Sequence, residues 1–424
     1  MRRLNEFILL VALITPCMPK IAFTGEISMY LLEILLLIFF PKLIIKSFYL
    51  KRILLIFWLC ICFSTILSFF YGPVEIGGAM RCIKGIIYLP LIYIASTSRK
   101  YSYYNMSYIL IIAAIVNVIF HVSQGFDINN VNIWDSQLLM SGLSRWSFSL
   151  VSGQFVTQSA GGSHGIWGDY CVVALCATWI AYLKGKLNKC VFIFSFMAAV
   201  GSLLIAVSRE AFLVLLCLIV AFIMSNSTRN GRLHINIKAY LFIIIFIICS
   251  IWCIKNYGEH LALVQKVAYT IESVSDSGEE QNLNLRVGAW TVFGLSLLHN
   301  PWAILVGYGF NHANYVECIK AVVTRLYNVD YVTVPESFFI QAWSYGGIIC
   351  LVYAIIFWVN IYRFFKLEKV RKRRILLLGL FVGLLLASAI SGAAIISDLL
   401  YGQFLIFIGF LIKERRTSQS SSIE

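Results

Sequence analysis

The sequence predicts an all-α polytopic membrane protein with about twelve transmembrane helices. Three observations predict it. Hydrophobic residues make up 60% of the 424 and charged residues only 13%, with a mean hydropathy of +0.84. A soluble chain of this length could not hide that much apolar surface. Apolar segments near the roughly 20 residues that cross a bilayer recur along the whole chain. The basic residues cluster in the short connections between those segments.

The segments fall at about 5–19, 26–41, 53–70, 82–97, 106–122, 166–183, 190–207, 211–225, 239–254, 338–362, 375–393 and 399–412. The first follows Met1-Arg2-Arg3 and resembles a signal peptide. It lacks a small-residue cleavage site, so it reads as a retained helix. With the N-terminus inside, the inner connections hold Arg2 and Arg3; Lys42, Lys46, Lys51 and Arg52; Arg99 and Lys100; and Lys184, Lys186 and Lys189. They go on to hold Arg229, Arg232 and Lys238; Arg363, Lys366, Lys369 and Arg371 to Arg374; and Lys413, Arg415 and Arg416. That is 24 of the 34 basic residues. Every short inner loop is then basic, and the reverse orientation would break that rule at nearly every turn. Both termini are expected inside, and the chain reads as one integral membrane domain over 1–424.

The net charge of +14 points to no nucleic acid, because the charge is spread over short loops. Most of the twelve cysteines lie inside apolar segments (Cys60, Cys62, Cys171, Cys176, Cys217, Cys249, Cys253, Cys350). No CxxC pair is present, so neither zinc nor redox chemistry is indicated. A Cys82–Cys318 disulfide stays open. His164, His260, His299 and His312 show no metal-ligand spacing, and no cofactor is expected.

Long connections fall only on the outer side, at 123–165 and 255–337, and loops of that length in a compact protein are usually functional. The first is rich in Gly, Ser and Trp. The second contains an apolar stretch, Val287 to Leu298, too short to span and read as a re-entrant or amphipathic helix. Asn300-Pro301 ends it and Gly307-Tyr308-Gly309 marks a turn.

A lone charged pair, Arg209-Glu210, interrupts an uncharged run from Cys190 to Met224. Charge parity puts this turn on the outer side. Arg209 reads either as an interfacial arginine paired with Glu210 or lipid phosphate, or as an anion ligand whose planar fork suits phosphate. Arg286 opens the apolar stretch of a loop that is otherwise net acidic. The helix dipole disfavours a cation there, so Arg286 has either a partner in Glu279 or Glu280 or a ligand. Arg145, beside Trp146, is the lone basic residue of its loop. It fits a sugar-binding surface or a plain cation–π contact. Glu336, just before the span at 338, suits a helix cap or a general base facing an outer cavity. Arg81 and Lys84 stand at the outer mouth of the fourth span, as anchors or phosphate ligands.

Arg286-Val-Gly-Ala-Trp290, Asn300-Pro301-Trp302, Gly307-Tyr308-Gly309-Phe310, Pro335-Glu336-Ser337-Phe338-Phe339 and Tyr345-Gly346-Gly347-Ile348 follow one another in order. With Ser208-Arg209 at an outer turn, this pattern resembles the O-antigen ligase/polymerase superfamily over roughly 200–350. The ligase branch has His-Asn where this chain has Glu336-Ser337, so the chain is most like an O-antigen polymerase. The resemblance implies a GT-C-like helical fold with two large periplasmic loops, in the bacterial inner membrane. It implies metal-independent glycosyl transfer between undecaprenyl-diphosphate-linked oligosaccharides, in contact with membrane lipids and alongside a flippase and a chain-length regulator. Arg209, Arg286 and Glu336 would be catalytic. Arg145, Trp146, Arg81, Lys84 and Glu210 would bind substrate. A lipid-linked oligosaccharide flippase and an O-antigen ligase remain the alternatives.

Overall fold

The computed structural model describes residues 2–18, 21–22, 28–44, 49–68, 70, 76–125, 149–151, 154–156, 164–206, 208–229, 232–233, 281–310, 325, 335, 337–391 and 398–420. These residues are overwhelmingly helical. In chain order the helices are α1 (Arg2–Ile14), α2 (Leu31–Leu43), α3 (Tyr49–Ser68), α4 (Ile76–Ile87), α5 (Pro90–Thr97), α6 (Tyr104–Gly125) and α7 (His164–Leu183). There follow α8 (Lys189–Ala206), α9 (Arg209–Ser227), α10 (Gln281–His299), α11 (Trp302–Val306), α12 (Phe338–Lys366), α13 (Arg371–Ser391) and α14 (Asp398–Ser420). The all-α expectation holds, and three small antiparallel ribbons lie between the helices: Ile21–Ala22 with Ser28–Met29, Ser149–Val151 with Gln154–Val156, and Thr228–Arg229 with Arg232–Leu233. Each joins strands close in sequence, where a hairpin satisfies backbone groups locally. The expected span at 239–254 lies outside the described residues.

Three described helices are long and apolar enough to cross a membrane: Leu50–Ser68, Phe338–Lys366 and Arg371–Ile390. The others in the set are shorter apolar helices, among them Trp167–Leu183, Lys189–Leu203 and Glu210–Ser225. The expected span at 82–97 is two helices, α4 and α5. Pro90 stands at the start of α5, where its missing N–H costs nothing.

α7 and α14 are buried almost all round, from Trp167 to Ala181 and from Leu400 to Ile412. A helix apolar on every face belongs in the middle of a bundle. Around α7 pack α6, α8, α9, α13 and α14. The tightest pair is α9 with α13. A Cβ on Gly379 would come 2.3 Å from Ala221 Cβ, and one on Gly383 would come 2.8 Å from Val214 Cα. Two glycines four residues apart thus let the backbones touch, the small-residue mode by which apolar helices associate.

The segments that the charge pattern groups on one side meet at one end of the bundle. Glu6 accepts from Ser98 Oγ at 2.7 Å and from the Arg99 N–H at 2.8 Å. Lys413 Nζ donates to the Tyr101 carbonyl at 2.8 Å. Arg373 pairs with Glu368 at 2.9 Å and with Glu414 at 2.8 Å, and Glu414 also pairs with Lys184. α7 therefore ends at this basic end, and α8 leaves it and returns to the other. The α8–α9 turn lies at the far end, about 27 Å away for an 18-residue helix.

α12 corrects the span expected at 338–362. Its backbone leaves the helix at Gly346 and Gly347. The Phe338 ring lies 6.1 Å from that of Trp358, and Phe338 shares an apolar pocket with Leu54, Phe57, Ala354, Phe357 and Tyr401. Along an unbroken helix, twenty residues would separate Phe338 and Trp358 by about 30 Å. The two limbs, 338–345 and 348–366, therefore fold back on each other. The longer limb alone still reaches about 28 Å.

Candidate functional site

The fold-back is built from two of the glycine motifs. Gly347 has φ +70° and Gly307 φ +73°, backbone that favours glycine. The Tyr308 N–H donates to the Ser344 carbonyl at 2.7 Å, and the Gly309 N–H to the Tyr345 carbonyl at 3.0 Å. These carbonyls end the short limb of α12 and would otherwise lack partners. The Tyr308 hydroxyl reaches the Ser296 carbonyl at 3.0 Å, tying α10 to the same unit. Phe310 packs on Tyr345 with ring centroids 4.2 Å apart. Ser64 Oγ of α3 accepts from the Gly309 N–H at 2.7 Å. Irregular backbone at membrane depth is tolerated where protein buries and satisfies it, and here it is both buried and satisfied.

Sequence reading put Glu336 at an outer mouth. Pro335 and Ser337 on either side are both buried, and Phe338 lies level with Trp358 inside the bundle. Glu336 itself lies outside the described residues, as do Arg145 and Trp146.

Arg286 also changes position. The helix expected to begin beside it begins at Gln281 instead. Arg286 is therefore in the second turn of α10, beyond the reach of most of the helix dipole, so that local cost no longer argues for a ligand. α10 packs with α11 and the short limb of α12 through Val292, Phe293, Leu297, Ala303, Tyr308, Ile340 and Trp343. The structure describes the backbone, and not the side chains, of Arg81 in α4, Arg209 at the first position of α9, and Arg286.

The Ser208-Arg209-Glu210 turn sits directly on α7. Ser208 is buried and its Oγ accepts from the Ala211 N–H at 3.3 Å, as a helix N-cap. A Cβ on Gly168 of α7 would come 2.6 Å from Ala211 Cβ and 3.2 Å from Ser208 Cβ. The next residue, Asp169, is 1% exposed. Neither of its carboxyl oxygens has a hydrogen-bond partner among the described residues. The Glu210 carboxylate is near enough to repel it. Sequence reading missed Asp169, although an acidic residue inside an apolar span was a readable signal.

Lys84 was expected at an outer mouth. It is buried, with Nζ 3.2 Å from Glu33 Oε2. Tyr88 donates its hydroxyl to Glu33 Oε1 at 2.8 Å, and the Tyr30 N–H donates to Oε2 at 2.9 Å. Glu33, unremarked in the sequence, is 0% exposed. Breaking such a pair leaves a buried charge and costs about 3–5 kcal/mol. Lys84→Met should therefore lower the unfolding temperature of the detergent-purified protein, and adding Glu33→Gln should restore most of it. A Lys84→Met protein of unchanged stability would return Lys84 to the ligand candidates.

No family model matches the chain, and no curated protein or solved structure matches it. The fold by itself defines a class: a helical protein with helices able to cross a membrane, one of which turns back on itself.

Proposed function

We propose that the protein is an O-antigen polymerase. In this reading it is a twelve-span protein of the bacterial inner membrane with both termini in the cytoplasm. It would join undecaprenyl-diphosphate-linked oligosaccharide repeat units at the periplasmic face. The observation that carries the reading is the interlock of Gly307-Tyr308-Gly309-Phe310 with Ser344-Tyr345-Gly346-Gly347. Two motifs read separately along the sequence form one structural unit, as expected if their order has a common purpose.

In the reaction, a hydroxyl of one lipid-linked unit attacks the anomeric carbon of another. The bond from that carbon to the diphosphate oxygen breaks as the new glycosidic bond forms. The hydroxyl proton passes to a base, for which Glu336 is the candidate. The departing undecaprenyl diphosphate carries the electron pair of the broken bond, and Arg209 and Arg286 would stabilise its charge. Fixed cations at that point do electrostatic work that needs no nucleotide sugar.

Cells in which the only copy carries Arg286→Ala should display lipopolysaccharide with a single repeat unit instead of a ladder. Three other patterns speak against the reading. Loss of even the single-repeat form points to a flippase. Polymer left on its lipid carrier points to a ligase. An unchanged ladder removes Arg286 from the site.

A further inference from the structure

Asp169 presents an unsolved electrostatic problem in the described structure. Its carboxylate is 1% exposed and lacks a hydrogen-bond donor among the described residues. Its near neighbour Glu210 carries the same sign. An ionised carboxylate so placed is strongly disfavoured, and it takes up a proton unless a cation meets it. The candidates can be narrowed by sequence. α6 has no Lys or Arg, and the basic residues of α8, α13 and α14 lie at the opposite end of the bundle. α7 has none of its own. Among the described helices packed on α7, Arg209 is the one Lys or Arg at the Asp169 end, where the sequence otherwise places only His121 of α6 and His164 of α7 itself.

Arg209 gains from an anion beyond the Glu210 that follows it in the first turn of α9. It opens a 19-residue helix, where the dipole disfavours a cation unless an anion is close. The contact of Gly168 with Ser208 and Ala211 brings the two positions together through their backbones.

We propose that Asp169 is a positioning residue, the buried counter-charge that holds the arginine of the Ser208-Arg209-Glu210 turn in place. Such a pairing would use one side of a guanidinium fork and leave the other for an anion. A guanidinium can serve both at once because its five donors lie in one plane. Glu210 then shapes the helix start, and Asp169 aims the arginine. The aiming role rests on the reading of Arg209 as a diphosphate ligand; the pairing does not.

A double-mutant cycle on the full-length protein in detergent tests the pairing. Arg209→Gln strands the buried carboxylate and should lower the unfolding temperature by about 5 °C. Asp169→Asn removes the buried charge and should cost little. The double variant should match Asp169→Asn alone, so that the Arg209 penalty vanishes. Additive shifts would overturn the pairing. The aiming role is read in cells: Asp169→Asn should shorten the ladder at undiminished protein level and stability, and Asp169→Glu should recover part of it. A full ladder in Asp169→Asn cells would overturn aiming. A non-additive cycle together with a full ladder in Arg209→Ala cells would leave the pair standing and remove Arg209 from the diphosphate site.

Discussion

Gly347→Val should leave almost no folded protein in the membrane. At φ +70° and ψ −170° the backbone occupies a region essentially restricted to glycine, and a side chain there costs about 1–3 kcal/mol in strain alone. Sterics are worse. A Cβ would lie 1.9 Å from the Leu305 carbonyl oxygen and 2.5 Å from the Val306 nitrogen. Both are backbone atoms, so no side-chain rotation relieves the clash. The α11 turn would have to leave the tip of α12, releasing the Ser344 and Tyr345 carbonyls from Tyr308 and Gly309. Buried carbonyls left unpaired cost about 1–3 kcal/mol each. Gly201→Ala in α8 is the matched control, because a Cβ there meets nothing within 4 Å. Monodisperse yield after detergent extraction is the measurement. Normal recovery of Gly347→Val beside Gly201→Ala would mean that the fold-back is not the packed form.

Arg209→Ala should reduce the lipopolysaccharide ladder to a single repeat unit. Removing one fixed group that stabilises developing negative charge typically costs about 10²–10³-fold in rate, enough to erase long chains. Arg209→Lys should give an intermediate pattern, since an ammonium keeps the charge and loses the planar fork. Because the same change is expected to destabilise the protein through Asp169, the gel needs an immunoblot of membrane protein beside it. Short chains at normal abundance assign the effect to chemistry. A full ladder in Arg209→Ala cells would end the case for Arg209 as a diphosphate ligand.

The positions of most helices were legible because crossing a bilayer is a local requirement. Tyr49–Ser68, His164–Leu183 and Lys189–Ala206 start and stop within a few residues of the apolar segments, since hydropathy is a property of each residue summed over a window. The grouping of Arg99, Lys184, Arg373 and Lys413 toward one end was legible for the same reason. Counting helices between basic loops needs no knowledge of what touches what.

The candidate site was legible in part. Ser208-Arg209 was noticed as a charged break, and the glycine motifs were noticed in order. Their meaning was hidden. Ser208 caps α9, and Gly307 and Gly347 lock against each other forty positions apart in the chain. Lys84 read as an anchor or a phosphate ligand until Glu33 supplied its partner from another helix.

The sequence by itself determined the helical, strongly apolar class of molecule, the extent of most described helices and the gathering of the Arg99, Lys184, Arg373 and Lys413 connections at one end of the bundle. Only the tertiary structure decided that the helix from Phe338 turns back, because the segment runs across Gly346 and Gly347 from 338 to 362 without a charged residue. Only the tertiary structure decided that Asp169 is buried beside the Arg209 turn. Burial and pairing depend on which helices approach one another, and that approach is set by small residues such as Gly168 and Gly383 whose partners lie far away along the chain.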